Sequence, residues 1–154
     1  MPRTSKPRRV AFKSNRPGRV FGFTDEPTSV RMGRVRQRAT EPELVVRHVA
    51  YAIGLRYRTR NRDLPGSPDL ANRSKQWAVF VHGCFWHRHE SCARTTTPTR
   101  NRTFWMRKFE TNVERDRRVR RELRRAGWRT VVIWECETSD PTVIERRLRH
   151  LRRP

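Results

Sequence analysis

Apolar residues are sparse over the first forty positions and then fall into runs whose spacing predicts the elements. Leu44, Val45, His48, Val49, Ala52 and Ile53 recur every three or four residues, the period of one helix face. Thr40-Glu41-Pro42-Glu43 stands before them, with Thr40 as N-cap, Glu43 closing a capping box and a proline in the first turn. Gly54 follows where a terminating glycine belongs, so a helix is predicted over 41–53. Leu55 to Thr59, Ser67 to Ala71 and Gln76 to Val81 read as three short strands, the first two parted by the turn-forming Asn61-Arg62-Asp63-Leu64-Pro65-Gly66. Phe104, Trp105, Phe109, Val113, Val119 and Leu123 mark one face of a long helix over 101–126. Thr130 to Trp134 predicts a further strand, and Val143, Ile144, Leu148 and Leu151 a last helix over 141–151. The runs QWAVFV and TVVIW lack the polar alternation of a half-exposed strand, which predicts a mixed sheet covered by helices on both faces. The expectation is one small α/β domain without internal repeats.

Charge sharpens this picture. Lys and Arg number 37 against 15 Asp and Glu, a net charge of +22, and only Lys6, Lys13, Lys75 and Lys108 are not arginine. Self-repulsion of this size opposes compaction and points to a polyanionic partner, nucleic acid before an anionic membrane surface. Residues 1–24 carry seven basic residues and no acid, broken by Pro2, Pro7, Pro17 and Gly18. Residues 1–30 are therefore expected to be a disordered basic arm, either a plain solvated tail or one that adds phosphate contacts, with the ordered domain over 31–154. No run approaches the ~20 apolar residues of a membrane span, and no secretory signal is visible, so a cytoplasmic protein is expected; the chain length and the absence of a heptad seam favour a monomer.

Chemistry is concentrated in one stretch. His82-Gly83-Cys84-Phe85-Trp86-His87-Arg88-His89-Glu90-Ser91-Cys92 holds two of the three cysteines and three of the five histidines, and Cys136 ends the last strand run. Cys84, His89, Cys92 and Cys136 are the thiolate and imidazole donors that tetrahedral Zn²⁺ prefers. Four protein ligands leave no open position, so such a zinc is structural; three unrelated buried thiols are the competing reading. The set requires the strands leading to His82 and Cys136 to lie side by side. His82 and His87 are then spare beside Asp69, which follows Leu-Pro-Gly-Ser-Pro. A strand-end carboxylate can hold Mg²⁺ and a neutral histidine can take a proton from water, the parts needed to hydrolyse a phosphodiester. An Asx-turn for Asp69 and plain packing for the histidines remain open at this point.

The segments DLPGSPDL, VFVHGCFWH, NVERDRRV and GWRTVVIWEC resemble, in the same order, the very short patch repair (Vsr) DNA mismatch endonucleases, from about Val30 to Cys136. The resemblance implies a restriction-endonuclease-like α/β fold with a structural zinc site. It also implies Mg²⁺-dependent nicking of one strand 5′ to the thymine of a T·G mismatch, the product of 5-methylcytosine deamination. By the same resemblance Asp69 and the Val81 carbonyl hold Mg²⁺, His87 is the general base, and His82 assists at the scissile phosphate. Asp116 orients a histidine, and Glu43 acts at the metal–water shell. Cys84, His89, Cys92 and Cys136 match the zinc ligands, and Phe85, Trp86 and Met32 match residues that wedge into the duplex. The family usually carries threonine where this chain has Val81, and His89-Glu90-Ser91-Cys92 is one residue longer than the common spacing. Double-stranded DNA is then the partner, with nucleoid association through it and a mismatch-repair protein as a further partner. A zinc-stabilised basic binding module without activity, or a related nuclease with another DNA target, are the alternatives.

Overall fold

The computed structural model describes residues 40–152. The basic arm over 1–30 and Met32 lie outside the described residues. Helix α1 (Glu41–Ala52) leads to strand β1 (Leu70–Asn72) and strand β2 (Trp77–His82), followed by a single helical turn, α2 (Cys84–His87). Helix α3 (Arg102–Arg125), strand β3 (Arg129–Trp134), a 3-10 turn (Glu135–Ser139) and helix α4 (Pro141–Leu148) come next, and a 3-10 turn over Arg149–Arg152 ends the described residues.

The strand order is β1-β2-β3, with β1 antiparallel and β3 parallel to the central β2. β2 is buried on both sides, as its unbroken apolar run predicts. Trp77 and Val79 face Val46, Ala50, Ile144 and Leu148 of α1 and α4; Ala78 and Phe80 face Val119 and Leu123 of α3. Each face removes aliphatic and aromatic surface from water at roughly 25 cal/mol per Å², the dominant favourable contribution to folding. The register pairs Trp77 with Arg129 and His82 with Trp134, so β2 and β3 end together. Cys84 and Cys136, each two residues past that last pair, are thereby brought to one end of the sheet.

Four sequence expectations need correction. Leu55 to Thr59 is not a strand: Leu55 is a core residue and Arg58 forms one bridge to Ala71. The Asn72 side chain takes the Arg56 carbonyl at 2.7 Å, occupying an acceptor that a continuing ladder needs. The capping box at Thr40 and Glu43 does not form. The Thr40 hydroxyl donates to the Glu43 carboxylate at 3.1 Å instead of accepting a backbone N–H, and Arg47 holds the other Glu43 oxygen at 3.2 Å, so neither side chain caps the free N–H groups of the first turn. The segment after β2, expected as a turn, winds into α2 and stops at Arg88, whose left-handed backbone (φ 54°) ends the coil. The last helix is α-helical only to Leu148 and tightens to 3-10 geometry beyond it.

Candidate active site and metal cluster

Two clusters of functional side chains grow from the shared end of β2 and β3. The first sits in a cleft of about 180 Å³ lined by Asp69, Val81, His82, His87 and Asp116, together with Arg115, Arg120 and the loop residues Gly66 and Ser67. Asp69 precedes β1, where its N–H donates to the Val79 carbonyl (3.0 Å) and one carboxylate oxygen accepts the Val81 N–H (2.7 Å). It forms no ion pair among the described residues. Burial pushes its pKa up to about 6, the Val81 hydrogen bond only partly opposing this, and the nearby negative charge of Glu43 adds to the rise. Glu43 itself is buried at the head of α1 and does not line the cleft, acting on Asp69 through its charge.

His82 and His87 stack face to face, centroids 3.9 Å apart and planes 12° apart. His87 Nδ1 makes a short hydrogen bond to Asp116 Oδ2, and Arg115 reaches the other oxygen at 3.3 Å. Nδ1 is thus committed to the carboxylate and Nε2 is the free ring nitrogen. Burial lowers the His82 pKa to about 3, and the charges of His87, Arg120 and Arg115 push the same way, so His82 is neutral at physiological pH. Burial alone raises Asp116, but the bond to His87 and the surrounding positive charge overcome it and hold the carboxyl below its usual range.

The second cluster holds Cys84, His89, Cys92 and Cys136, whose donor atoms all lie within 4.8 Å of one another. His89 Nδ1 is 3.7 Å from Cys84 Sγ and 3.3 Å from Cys136 Sγ. Bond lengths of about 2.3 Å for Zn–S and about 2.0 Å for Zn–N imply S···N edges of about 3.5 Å in a tetrahedron, so this donor set fits such an ion. Within the His89–Cys92 loop, Ser91 adopts the left-handed region (φ 55°). Burial and mutual proximity push Cys136 up to about 12 and raise Cys84 as well, so without a cation these thiols keep their protons. Around the cluster, the Cys84 N–H donates to Glu135 (3.3 Å), and the Thr95 hydroxyl lies 3.2 Å and 2.8 Å from the carbonyls of Cys84 and His89. Trp134 stands between the two clusters, stacked on His89 (4.3 Å) and edge-on to His82 (5.5 Å).

Phe85 and Trp86 of α2 are half-buried against α3. Phe85 packs edge-on against Trp86, Trp105 and Phe109, and Asn112 of α3 donates to the Trp86 carbonyl at 3.1 Å. Ser67, Arg115 and Arg120 were not singled out from the sequence. The two arginines carried one readable signal, adjacency to Asp116 and a spacing of one helical turn from it, hidden among the many arginines of α3.

The sequence pattern of the family described as DNA mismatch endonuclease Vsr matches residues 22–94. The type II nicking enzyme V.XorIIP of Xanthomonas oryzae is 42% identical over 80% of this chain and 90% of its own length. The type II nicking enzyme V.NmeAIP of Neisseria meningitidis is 36% identical over 84% of this chain and 91% of its own. The DNA mismatch endonuclease Vsr of Escherichia coli is 36% identical over 70% of each chain. Likeness of this extent, with the family pattern running through Asp69, His82, His87 and three of the four cluster donors, shows that the chain belongs to the Vsr family of DNA mismatch endonucleases.

Proposed function

We propose that this DNA endonuclease nicks one strand 5′ to the thymine of a T·G mismatch, the lesion left by deamination of 5-methylcytosine, in a Mg²⁺-dependent reaction. The observation that carries the reading is the meeting of Asp69 with the His82, His87 and Asp116 group in one cleft. Asp69 is a half-buried carboxylate that forms no ion pair among the described residues, and Glu43 adds negative charge beside it, partly offset by Arg47. That donor set fits a hard divalent ion held by Asp69 and the Val81 carbonyl, which when bound supplies Lewis acidity at the phosphate. The Val81 side chain packs with the apolar cluster under α1, so the valine leaves only the main chain to serve the ion.

In this reading His87 accepts the proton of the attacking water at Nε2, while Asp116 fixes the ring through Nδ1 and stabilises the imidazolium that forms. Neutral His82, stacked on His87, donates or accepts a hydrogen bond at the scissile phosphate without adding charge. Cys84, His89, Cys92 and Cys136 hold a structural zinc that ties the turn bearing His87 to the end of β3. Phe85 and Trp86, with Met32 just after the N-terminal arm, wedge into the duplex beside the mismatch, where unstacking costs least. Residues 1–30 add phosphate contacts to an endonuclease domain over 31–154 that acts as a monomer, bound to the nucleoid through its DNA and accessible to a mismatch-repair partner.

The test is cleavage of end-labelled duplex carrying one T·G pair, with Mg²⁺, by wild type, Asp69→Ala and His87→Ala. A single nick 5′ to the thymine, made by wild type and by neither variant, supports the reading. Equal cutting of matched duplex removes mismatch specificity, and binding without any cutting leaves a nucleic-acid-binding module.

A further inference from the structure

Four buried side-chain atoms have no hydrogen-bond partner among the described residues: Arg47 Nε, Trp77 Nε1, Arg120 Nε and Thr130 Oγ1. Of these residues, only Arg120 lines the cleft. Arg120 stands one helical turn beyond Asp116 on α3 and directly follows Val119, which closes on Gly66 across the cleft wall. Asp116 does not neutralise it, since its two oxygens are taken by His87 and Arg115. Arg120 forms no ion pair among the described residues, and its charge reaches His82 on the opposite wall. A buried donor left without an acceptor costs free energy, and its persistence calls for an explanation. The edge of a guanidinium presents two parallel N–H donors, the geometry that recognises a phosphate oxygen pair.

We propose that Arg120 is a phosphate-contacting catalytic residue, its guanidinium edge hydrogen-bonding a non-bridging oxygen of the phosphodiester under attack. The contact tightens as negative charge builds on that oxygen, so it acts on the rate more than on duplex affinity. Arg115 is less suited, because it is tied to Asp116 at 3.3 Å. This assignment rests on the reading of the cleft as the nicking site.

The experiment compares single-turnover nicking of a T·G duplex at saturating enzyme for wild type, Arg120→Ala, Arg120→Lys, Asp69→Ala and Arg124→Ala. Arg124 is an exposed control on the same helix, outside the cleft. Arg120→Ala is expected to lose about 100-fold in rate with affinity within about threefold, and Arg124→Ala to keep the rate. Arg120→Lys, which keeps the charge but not the fork, is expected to recover part of the loss. Sulfur replacing each non-bridging oxygen of the scissile phosphate gives a readout that misfolding does not mimic. For one stereoisomer the sulfur penalty seen with wild type shrinks in Arg120→Ala, as expected for two changes to one contact. Wild-type rates in Arg120→Ala, with Asp69→Ala inactive, overturn the Arg120 assignment alone. Penalties that multiply independently for both stereoisomers also overturn it. Full nicking by Asp69→Ala overturns the reading of the cleft and this assignment with it.

Discussion

Replacing Asp69 with asparagine is expected to stabilise the protein while abolishing nicking. The carboxyl is largely shielded from water, forms no ion pair among the described residues and has its pKa pushed by desolvation up to about 6 from an ordinary 3.8. That rise corresponds to about 3 kcal/mol of unfavourable ionisation at pH 8. Solvent at the mouth of the cleft screens part of it, leaving about 1–2 kcal/mol, or about 4–8 °C in Tm for a domain of this size. Asparagine keeps an oxygen for the Val81 N–H and carries no charge. Because the folded-state pKa is raised, the penalty is complete above pH 6, falls to about half at pH 5 and disappears below the unfolded value near 4. His82 works in the opposite sense: its depressed pKa makes stability rise with pH between about 3 and 6.5. The two slopes offset one another in wild type, and the difference between wild type and Asp69→Asn isolates Asp69. The assay is thermal unfolding at pH 5 and pH 8, with zinc retained and no Mg²⁺. Adding Mg²⁺ should then raise the midpoint of wild type only. A variant no more stable than wild type at pH 8, or a stability gap unchanged at pH 5, refutes the electrostatic reasoning.

Cys136→Ser should purify with less than half an equivalent of zinc by metal analysis and unfold about 10 °C or more below wild type, because a structural ion contributes its binding energy to folding. Asp116→Ala should lower single-turnover nicking by about 100-fold or more with the fold intact by circular dichroism, and Asp116→Asn, which preserves an acceptor for His87 Nδ1, should fall between. Gly66→Ala should cost about 1–3 kcal/mol in denaturant unfolding: its backbone is left-handed (φ 70°), and a Cβ there meets Val119 Cγ1 at 2.6 Å. Combining it with Val119→Ala should cost less than the two changes added together.

The strands were legible because β2 and β3 are covered on both faces, and double burial writes itself as an unbroken apolar run. The long helix was legible for the complementary reason, since α3 buries one stripe and presents arginines elsewhere. The bonds of the N-terminal half were not. Asn72 and Glu43 turn inward to partners brought by the tertiary fold, and local spacing carries no trace of those partners. The metal-type cluster was readable from donor chemistry, but its closure depended on the parallel pairing of His82 with Trp134, which a sequence can only suggest. Arg120 was unreadable because what distinguishes it is an empty hydrogen-bond position, a property of the packed wall and not of its neighbours in the chain.

The division of labour between the two cleft aspartates follows from their surroundings. His82, His87 and Asp116 converge closely enough to suggest a metal site of their own. Yet Asp116 already has His87 and Arg115 against its two oxygens, His82 is held neutral among positive groups, and His87 spends Nδ1 on the carboxylate. A cation entering there meets two arginines and must break the bond that orients His87. Asp69 presents the reverse case, with a raised pKa, a neighbouring Glu43 and no guanidinium bonded to it among the described residues. The cleft therefore drives one carboxylate toward protonation unless a cation arrives and keeps the other ionised without one. Pushing two acids apart in this way is how a fold separates metal binding from proton transfer. The cleft can thus offer the proposed cation site despite a net charge of +22, since its lining arginines, Arg115 and Arg120, both stand on the α3 wall, away from Asp69.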